Sequence, residues 1–442
     1  MNYADANFDI RRLGECTRPS PIALSDKNDD CIANYVTDDQ RVVYQVDTDI
    51  AGSDDSLRSA GLFEKAGPRQ CIYFEPASVH AAILTAGGLC PGLNDVIRST
   101  VMTLWHRYGV RQITGLRFGY RGLYDEDPEL RVALTPEAVR DIHRTGGTIL
   151  GSSRGGGSRT ADMAQACIRQ KINLVFCIGG DGTQKGAMSL ARELERLKAP
   201  CAVVGIPKTI DNDLSFVERS FGFDTAVSEA VAAIAAAHTE ARAAEDGIGV
   251  VKVMGRQSGF IAVHSALAQN DVNFVLIPEV PFELAGDNGL LKHLEGRLDA
   301  RRHAVILVAE GAGQTLLEAT NQTDASGNVK LADIGPFLCD KIRAHFSSRG
   351  RQVNIKYIDP SYIIRSAPTI ANDSIYCQRL GANAVHAGMA GRTECLVGLV
   401  NGRFVHVPMA LAAGKRNFVD PESALWRDVV EATGQPPLMR NS

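Results

Sequence analysis

Pro207-Lys208-Thr209-Ile210-Asp211-Asn212-Asp213 directly follows the apolar run of residues 201–206. The run reads as a buried strand, and the polar heptad as the loop leaving its carboxyl end. Open α/β sheets hold their ligands at that end of the strands. The heptad offers one aspartate as a general base and the other for metal or orientation, with Lys208 and Thr209 for phosphate oxygens. Seen alone, it serves equally well as an Asx-turn between strand and helix. Its neighbours decide between these readings.

Upstream, residues 173–178 form a short apolar strand ending in Gly179-Gly180-Asp181-Gly182-Thr183, with a helix expected over 184–196. Glycines allow close approach of a nucleotide, the helix N-terminus receives phosphates, and Asp181 is placed to hold Mg²⁺. Further upstream, strand 81–86 runs into Gly87-Gly88-Leu89-Cys90-Pro91-Gly92-Leu93-Asn94 and an amphipathic helix over 95–108. Strand, glycine-rich loop and helix make a phosphate cradle, although the spacing matches neither a P-loop nor G-x-G-x-x-G. Strand 113–118 leads to Gly119-Tyr120-Arg121-Gly122, and Thr135-Pro136-Glu137 has the capping signature of a helix start. Residues 148–150 lead to Gly151-Ser152-Ser153-Arg154-Gly155-Gly156-Gly157, where one arginine amid small residues can reach a phosphate unhindered, or the loop is simply a flexible surface turn.

Downstream, an alanine-rich helix covers 223–244, and strand 249–253 meets Met254-Gly255-Arg256-Gln257-Ser258-Gly259. Strands 274–278 and 304–309 follow, the second reaching Glu310-Gly311-Ala312-Gly313. Residues 320–329 read as a polar insertion loop. Strand 354–358 precedes Asp359-Pro360-Ser361-Tyr362-Ile363-Ile364-Arg365, then a helix over 368–391 and a hairpin of 395–400 with 404–407 turning at Asn401-Gly402. Strands alternate with helices throughout, which argues for parallel sheets covered on both faces.

At 442 residues the chain is long enough for two large cores. A net charge of −4 with 22% charged residues gives no sign of a nucleic-acid or membrane-surface protein. The ten cysteines are scattered without a C-x-x-C pair, several inside apolar strands, and read as reduced core residues of a cytoplasmic protein. No signal-peptide core opens the chain, and no apolar run approaches the roughly 20 residues that span a bilayer. Residues 1–75 are rich in Asp, Asn and Ser, with one strand candidate at 41–46 and a polar stretch at 47–58. They read as an N-terminal extension packed on a core or a partner subunit.

In this order, the glycine-rich loop, Gly-Gly-Asp-Gly-Thr, Pro-Lys-Thr-Ile-Asp-Asn-Asp, Met-Gly-Arg and the Tyr362-x-x-Arg365 ending resemble the phosphofructokinase family over roughly residues 80–410. The wording of residues 88–98 and 356–362 looks most like its long-chain ATP-dependent branch in trypanosomatids and plants. The resemblance implies two similar three-layer α/β domains with the active site in the cleft between them, plus the extension. The domains would comprise residues 76–222 with 366–417, binding nucleotide, and 223–365 with 418–442, binding sugar phosphate. It implies transfer of the ATP γ-phosphoryl to the 1-hydroxyl of fructose 6-phosphate in glycolysis, with Mg²⁺, by a homotetramer or homodimer. The pyrophosphate-dependent reaction is the alternative.

Carried over by position, Gly88 lies against the transferred phosphoryl and Tyr120 borders the nucleotide. Arg154 bridges donor and acceptor phosphates. Gly180 and Gly182 flank the metal-holding Asp181, and Thr183 supports the phosphates. Lys208 stabilises the transferred group, Thr209 and Asp211 face the sugar with Asp211 as base, and Asp213 is a second carboxylate near metal or sugar. Met254, Gly255, Arg256 and Glu310 line the sugar pocket; Lys356, Tyr362 and Arg365 grip the 6-phosphate. The short bacterial enzymes carry aspartate, glycine, arginine and histidine where Leu89, Lys208, Gly247 and Tyr362 stand, so their effectors and one contact from a neighbouring subunit do not transfer. NAD and lipid kinases also use Gly-Gly-Asp-Gly-Thr, but the motifs at 209–213 and 362–365 favour the sugar kinase. A regulatory subunit without turnover is a third reading, opposed by the presence of both Asp181 and Asp211.

Overall fold

The computed structural model describes residues 6–46, 61–318 and 330–441. The polar stretch expected at 47–58 and the insertion loop expected at 320–329 lie outside the described residues. The chain divides into two compact units. One holds the residues up to Thr209, Leu214–Gly222 and Pro368–Arg416; the other holds Ile210–Asp213, Phe223–Ala367 and the chain from Asn417. The division falls inside the heptad, so Lys208 and Asp211 belong to different units. Among the described residues, no helix is long and apolar enough to cross a membrane.

The first unit is built on a nine-stranded sheet among the described residues, in the order Arg41–Val43, Leu62–Lys65, Arg403–Pro408, Cys395–Val400, Ala202–Pro207, Leu174–Gly179, His80–Thr85, Gln112–Leu116, Arg131–Ala133. Its five central strands are parallel, and antiparallel strands flank them on both sides. The three runs at the centre are buried along their whole length, which is why they appear in the sequence as unbroken apolar stretches. Helices cover both faces. Asp181–Arg196 buries Thr183, Gln184, Ala187, Leu190, Ala191 and Leu194, one stripe at helical spacing. The hairpin turns at Asn401 (φ 47°) and Gly402 (φ 70°), the left-handed pair that a tight two-residue turn requires.

The expected helix at Thr135 does not form. Thr135 accepts a bond from the Ala138 amide at 3.3 Å, but the chain makes only turns before a short 3₁₀ segment, Ile142–Arg144. Only Val139 offers a fully buried apolar side chain there, and Asn94 captures the segment beyond, bonding the Thr145 carbonyl (3.1 Å) and the Ile149 amide (2.9 Å).

Part of the extension belongs to this sheet. Leu62–Lys65 pairs with Arg403–Pro408, placing Glu64 opposite His406, and Arg41–Val43 forms the edge. Glu64 is 4% exposed and receives Arg392 at 2.9 Å, Arg69 at 3.0 Å, Arg12 at 3.0 Å and His406 at 3.0 Å. Burial alone would raise its carboxyl, but the His406 hydrogen bond and the guanidiniums of Arg392 and Arg69 outweigh it and hold the group far below the usual range. His406 is itself pushed down to about 4 by burial, so at neutral pH it is an uncharged donor.

Arg392 is wholly buried, and removing the Glu64 charge leaves Arg392, Arg69 and Arg12 to share Asp38 as their counter-charge. Glu64→Gln should cost about 3 kcal/mol of stability at neutral pH. A depressed folded pKa gives stability that is complete above the unfolded value of 4.5 and drains away as pH falls below it. Thermal melts of both proteins across that window should converge at low pH; parallel curves would show that Glu64 does not carry this dependence.

The second unit is built, among the described residues, on a four-stranded parallel sheet in the order Phe274–Leu276, His303–Ala309, Gly247–Val253, Asn354–Ile358. Phe223–Ala243, Phe260–Ala268 and Ala424–Thr433 cover one face through a core that includes Ile234, Val263, Val305 and Trp426. Leu290–Arg301 and Ile334–Ser347 cover the other, around Ile306, Leu294, Leu298 and Ile342. The result is again three layers.

Candidate functional site

Within the first unit, the chain leaves strand 80–85 towards Gln112–Leu116 on one side, and leaves strand 174–179 towards Ala202–Pro207 on the other. The two strands are neighbours, so the loops after them part company and open a crevice at the sheet's carboxyl end. Gly88 stands on one lip and 180–183 on the other. A Cβ at Gly88 would meet nothing within 4 Å, whereas Gly92 (φ 96°) has Cys377 Sγ only 2.7 Å from a Cβ position, so the tight entry to helix Leu93–Met102 requires glycine.

Lys208 reaches over from the next strand. It is 7% exposed, and its Nζ donates to the Gly88 carbonyl at 2.7 Å. The arginine loop is clasped to the same place: Ser152 Oγ donates to Gly87 O at 2.6 Å and the Gly87 amide to Ser153 O at 2.9 Å. Arg154 follows, on the exposed part of that loop. Gly180 is the N-cap of helix 181–196. Asp181 Oδ1 accepts from the Gly414 amide at 2.6 Å, and Oδ2 pairs with Lys185 Nζ at 2.9 Å. Gly182 is exposed with open space around its Cβ position, and Thr183 is buried.

Tyr120, expected to border a nucleotide, sits inside the core at 2% exposure, with its hydroxyl donating to Thr183 O at 2.6 Å. Gly157 and Gly186 allow the ring in, and it supports the start of helix 181–196 from beneath. Gln184 was not singled out as functional, yet it is 1% exposed and its Nε2 bonds the carbonyls of Gly179 (2.9 Å), Cys177 (3.3 Å) and Ile206 (3.3 Å). It ties together the ends of the two strands that carry the motifs. A polar residue on the buried side of helix 181–196 was the available signal.

In the second unit Met254, Gly255, Arg256, Glu310, Tyr362 and Arg365 follow the carboxyl ends of three of the four parallel strands. Ser258 Oγ lies 3.4 Å from Asp211 O, joining the heptad to the loop of Met254, Gly255 and Arg256. Asp211 Oδ1 is buried, Asp213 is 6% exposed, and Asn212 takes φ 55°, which asparagine tolerates. The Glu310 amide donates to Val253 O (2.9 Å) and the Gly311 amide to Gly255 O (3.0 Å), fastening the Glu310 loop to the Arg256 loop. Burial pushes the Glu310 carboxyl up, against the pull of Arg256, Lys252 and Arg365. Tyr362 and Arg365 lie on Ser361–Ser366, with the guanidinium 4.4 Å from the ring centroid. Lys356 is aimed at helix 223–243, where it stands 3.7 Å from Glu240. Thr209 belongs to the first unit, its carbonyl accepting from Ser220 Oγ.

Glu279 also escaped notice in the sequence: Oε1 accepts from the amides of Gly259 (2.9 Å) and Val419 (2.8 Å), bracing the Arg256 loop from behind.

A sheet whose switch point is lined by glycines, a helix N-terminus and a lysine defines an α/β protein that handles phosphate groups. The chain belongs to the phosphofructokinase family, whose model, described as Phosphofructokinase, matches residues 80–388. It is 51% identical to the ATP-dependent 6-phosphofructokinase of Borreliella burgdorferi over 98% of each chain. With the enzyme of that name from Amycolatopsis methanolica it shares 50% identity over 97% of this chain and 94% of the other. The Trypanosoma cruzi ATP-dependent 6-phosphofructokinase is 46% identical over 84% of this chain and 76% of its own. Among solved structures, the pyrophosphate-dependent phosphofructokinase of Nitrosospira multiformis aligns with a TM-score of 0.68 at 18% identity, covering 83% of this chain and 93% of that one. Saccharomyces cerevisiae phosphofructokinase aligns at 0.62 and 24% identity, covering 80% and 48%. At those identities the structures share the fold.

Proposed function

We propose that this protein transfers the γ-phosphoryl of ATP to the 1-hydroxyl of fructose 6-phosphate, the activity carried in the names of its 51%- and 50%-identical relatives. One geometric observation supports it above the others. Three residues apart in one heptad, Lys208 is anchored on the Gly88 carbonyl and Asp211 on the loop of Arg256. Phosphoryl transfer needs cations for the charge spreading over the moving group and a base for the attacking hydroxyl, and positioning does most of the rest.

In this reading Asp211 accepts the hydroxyl proton, while Lys208 and Arg154 face the transferring phosphoryl. Gly88 and the amides of 180–183 receive the donor phosphates. Thr209, Asp213, Met254, Gly255, Arg256 and Glu310 orient the sugar; Lys356, Tyr362 and Arg365 take its 6-phosphate. Asp181 suits Mg²⁺: among the described residues no group of three or more His, Cys, Asp or Glu could cage a metal, and one carboxylate at a helix start fits an ion shared with phosphates. When bound, the ion neutralises charge on the donor phosphates. Self-association as a homotetramer or homodimer belongs to the same reading, supported by exposed apolar side chains at Tyr362 (75%) and Ile363 (66%) of the kind a second copy covers. So does a cytoplasmic setting, which ten free thiols suit.

Purified protein with Mg²⁺, ATP and fructose 6-phosphate should yield fructose 1,6-bisphosphate, whereas NAD or diacylglycerol as acceptor should yield no product. Failure to form the bisphosphate removes the proposal. Sedimentation of the active species as a monomer removes its self-association alone.

A further inference from the structure

Resting on the fructose 6-phosphate reading above, we propose that Lys252 is a positioning residue for the sugar phosphate. It is a partly buried ammonium that fixes the start of the helix bearing Tyr362 and Arg365 at the strand end bearing Arg256 and Glu310. Lys252 is the penultimate residue of strand 247–253, with its side chain 12% exposed. Its Nζ lies 2.8 Å from Asp333 Oδ1 and 2.9 Å from Asp359 Oδ2. The Tyr357 hydroxyl also shares it.

Both carboxylates begin a helix. Asp333 caps Ile334–Ser347 through the Gly335 amide at 3.2 Å. Asp359 Oδ1 accepts from the Ser361 amide at 3.1 Å and from the Ser361 hydroxyl, turning the chain into Ser361–Ser366. Tyr362 is the second residue of that helix and Arg365 the fifth. A change in the Lys252–Asp359 pair therefore moves the first turn on which the phosphate-facing side chains stand.

Stability alone is a weak reason for this lysine. Its partners are open to water, the Asp333 side chain 52% and that of Asp359 35% exposed, and ion pairs of that kind contribute only about 1 kcal/mol or less. The surroundings argue for a role in geometry instead. The Glu310 carboxyl feels Arg256, Lys252 and Arg365 together, with Asp359 opposing them, so Lys252 stands in one charged locality with the sugar-facing residues. Two carboxylates already occupy the ammonium, so Lys252 acts through Asp359 and its helix rather than as a ligand for phosphate.

Lys252→Met should raise KM for fructose 6-phosphate about tenfold, with kcat and KM for ATP changed less than about twofold, because a tilt of the binding turn weakens ground-state contacts. Lys252→Arg should recover most of the affinity. In the absence of ATP, the rise in melting temperature that fructose 6-phosphate gives the unmodified protein should shrink in Lys252→Met. If that variant does not fold, Asp359→Asn cuts only the arm to the Tyr362 helix and should give the same selective rise, while Asp333→Asn should leave KM unchanged. An unmodified enzyme without fructose 6-phosphate activity defeats the functional reading. An active one whose Lys252→Met and Asp359→Asn variants keep normal KM for the sugar defeats this proposal, as does an equal loss for both substrates.

Discussion

Asp211→Asn should lower kcat by roughly 10²–10⁴ while KM for fructose 6-phosphate changes little, since the substitution removes proton acceptance and leaves ground-state contacts in place. Asparagine preserves the shape of the side chain, and the Ser258 contact falls on the main-chain carbonyl of residue 211, which the substitution does not alter. Ile210 packs on the core of the second unit, so the backbone entering position 211 is held independently of the carboxylate. The thermal midpoint should therefore stay close to that of the unmodified protein. A structural aspartate predicts the reverse pattern: a lower midpoint with activity per folded molecule preserved. One variant measured both ways separates the two roles.

The parts legible in the sequence were those whose physics is local. Strands 80–85, 174–179 and 202–207 are buried on both faces and so appear as continuous apolar runs, each ending in small or polar residues at the carboxyl edge. Loop identity followed from the same edge. Phe260–Ala268 was harder to see, because a helix that is apolar on nearly every side has no amphipathic period to betray it. Thr135 shows the opposite failure, a sound cap with no apolar stripe behind it to carry the helix forward. Lys252 looks like a polar interruption in a valine-rich strand; its partner Asp333 is 81 positions away, and nothing local announces the pair. Arg392 and Glu64 meet across 328 positions, so the extension's role in completing the first sheet was invisible too. Tyr120 carries a further lesson: a residue placed near a ligand by its motif can serve from underneath, through Thr183, without an exposed edge of its own.

The unmodified enzyme should use ATP and use pyrophosphate poorly, and Gly182→Asp should abolish most of the ATP activity without creating pyrophosphate activity. Gly182 is the second residue of helix 181–196, exposed, with no atom within 4 Å of where its Cβ would stand. Its backbone is outside the left-handed region, so an aspartate fits without strain. An added carboxylate in the first turn also favours the helix by a few tenths of a kcal/mol, on the order of a macrodipole contribution. Folding should consequently be preserved, and any loss must come from what the carboxylate excludes. That is the nucleotide: a side chain at 182 projects from the helix N-terminus proposed to receive the donor phosphates, where like charge costs several kcal/mol and lowers kcat/KM for ATP by about 10²-fold or more. Lys208, held on the Gly88 carbonyl, does not discriminate between donors, since an ammonium attracts the phosphate oxygens of either one. Space and charge at 182 are therefore the discriminating features. Removing the nucleotide's room does not build a pyrophosphate site, because Asp181, Lys185 and the Gly414 amide keep their arrangement around the same helix end. Initial rates with both donors at saturating fructose 6-phosphate test each part. Preference of the unmodified enzyme for pyrophosphate would overturn the donor assignment and leave the acceptor and Asp211 untouched; full ATP activity in Gly182→Asp would move the donor phosphates away from this helix.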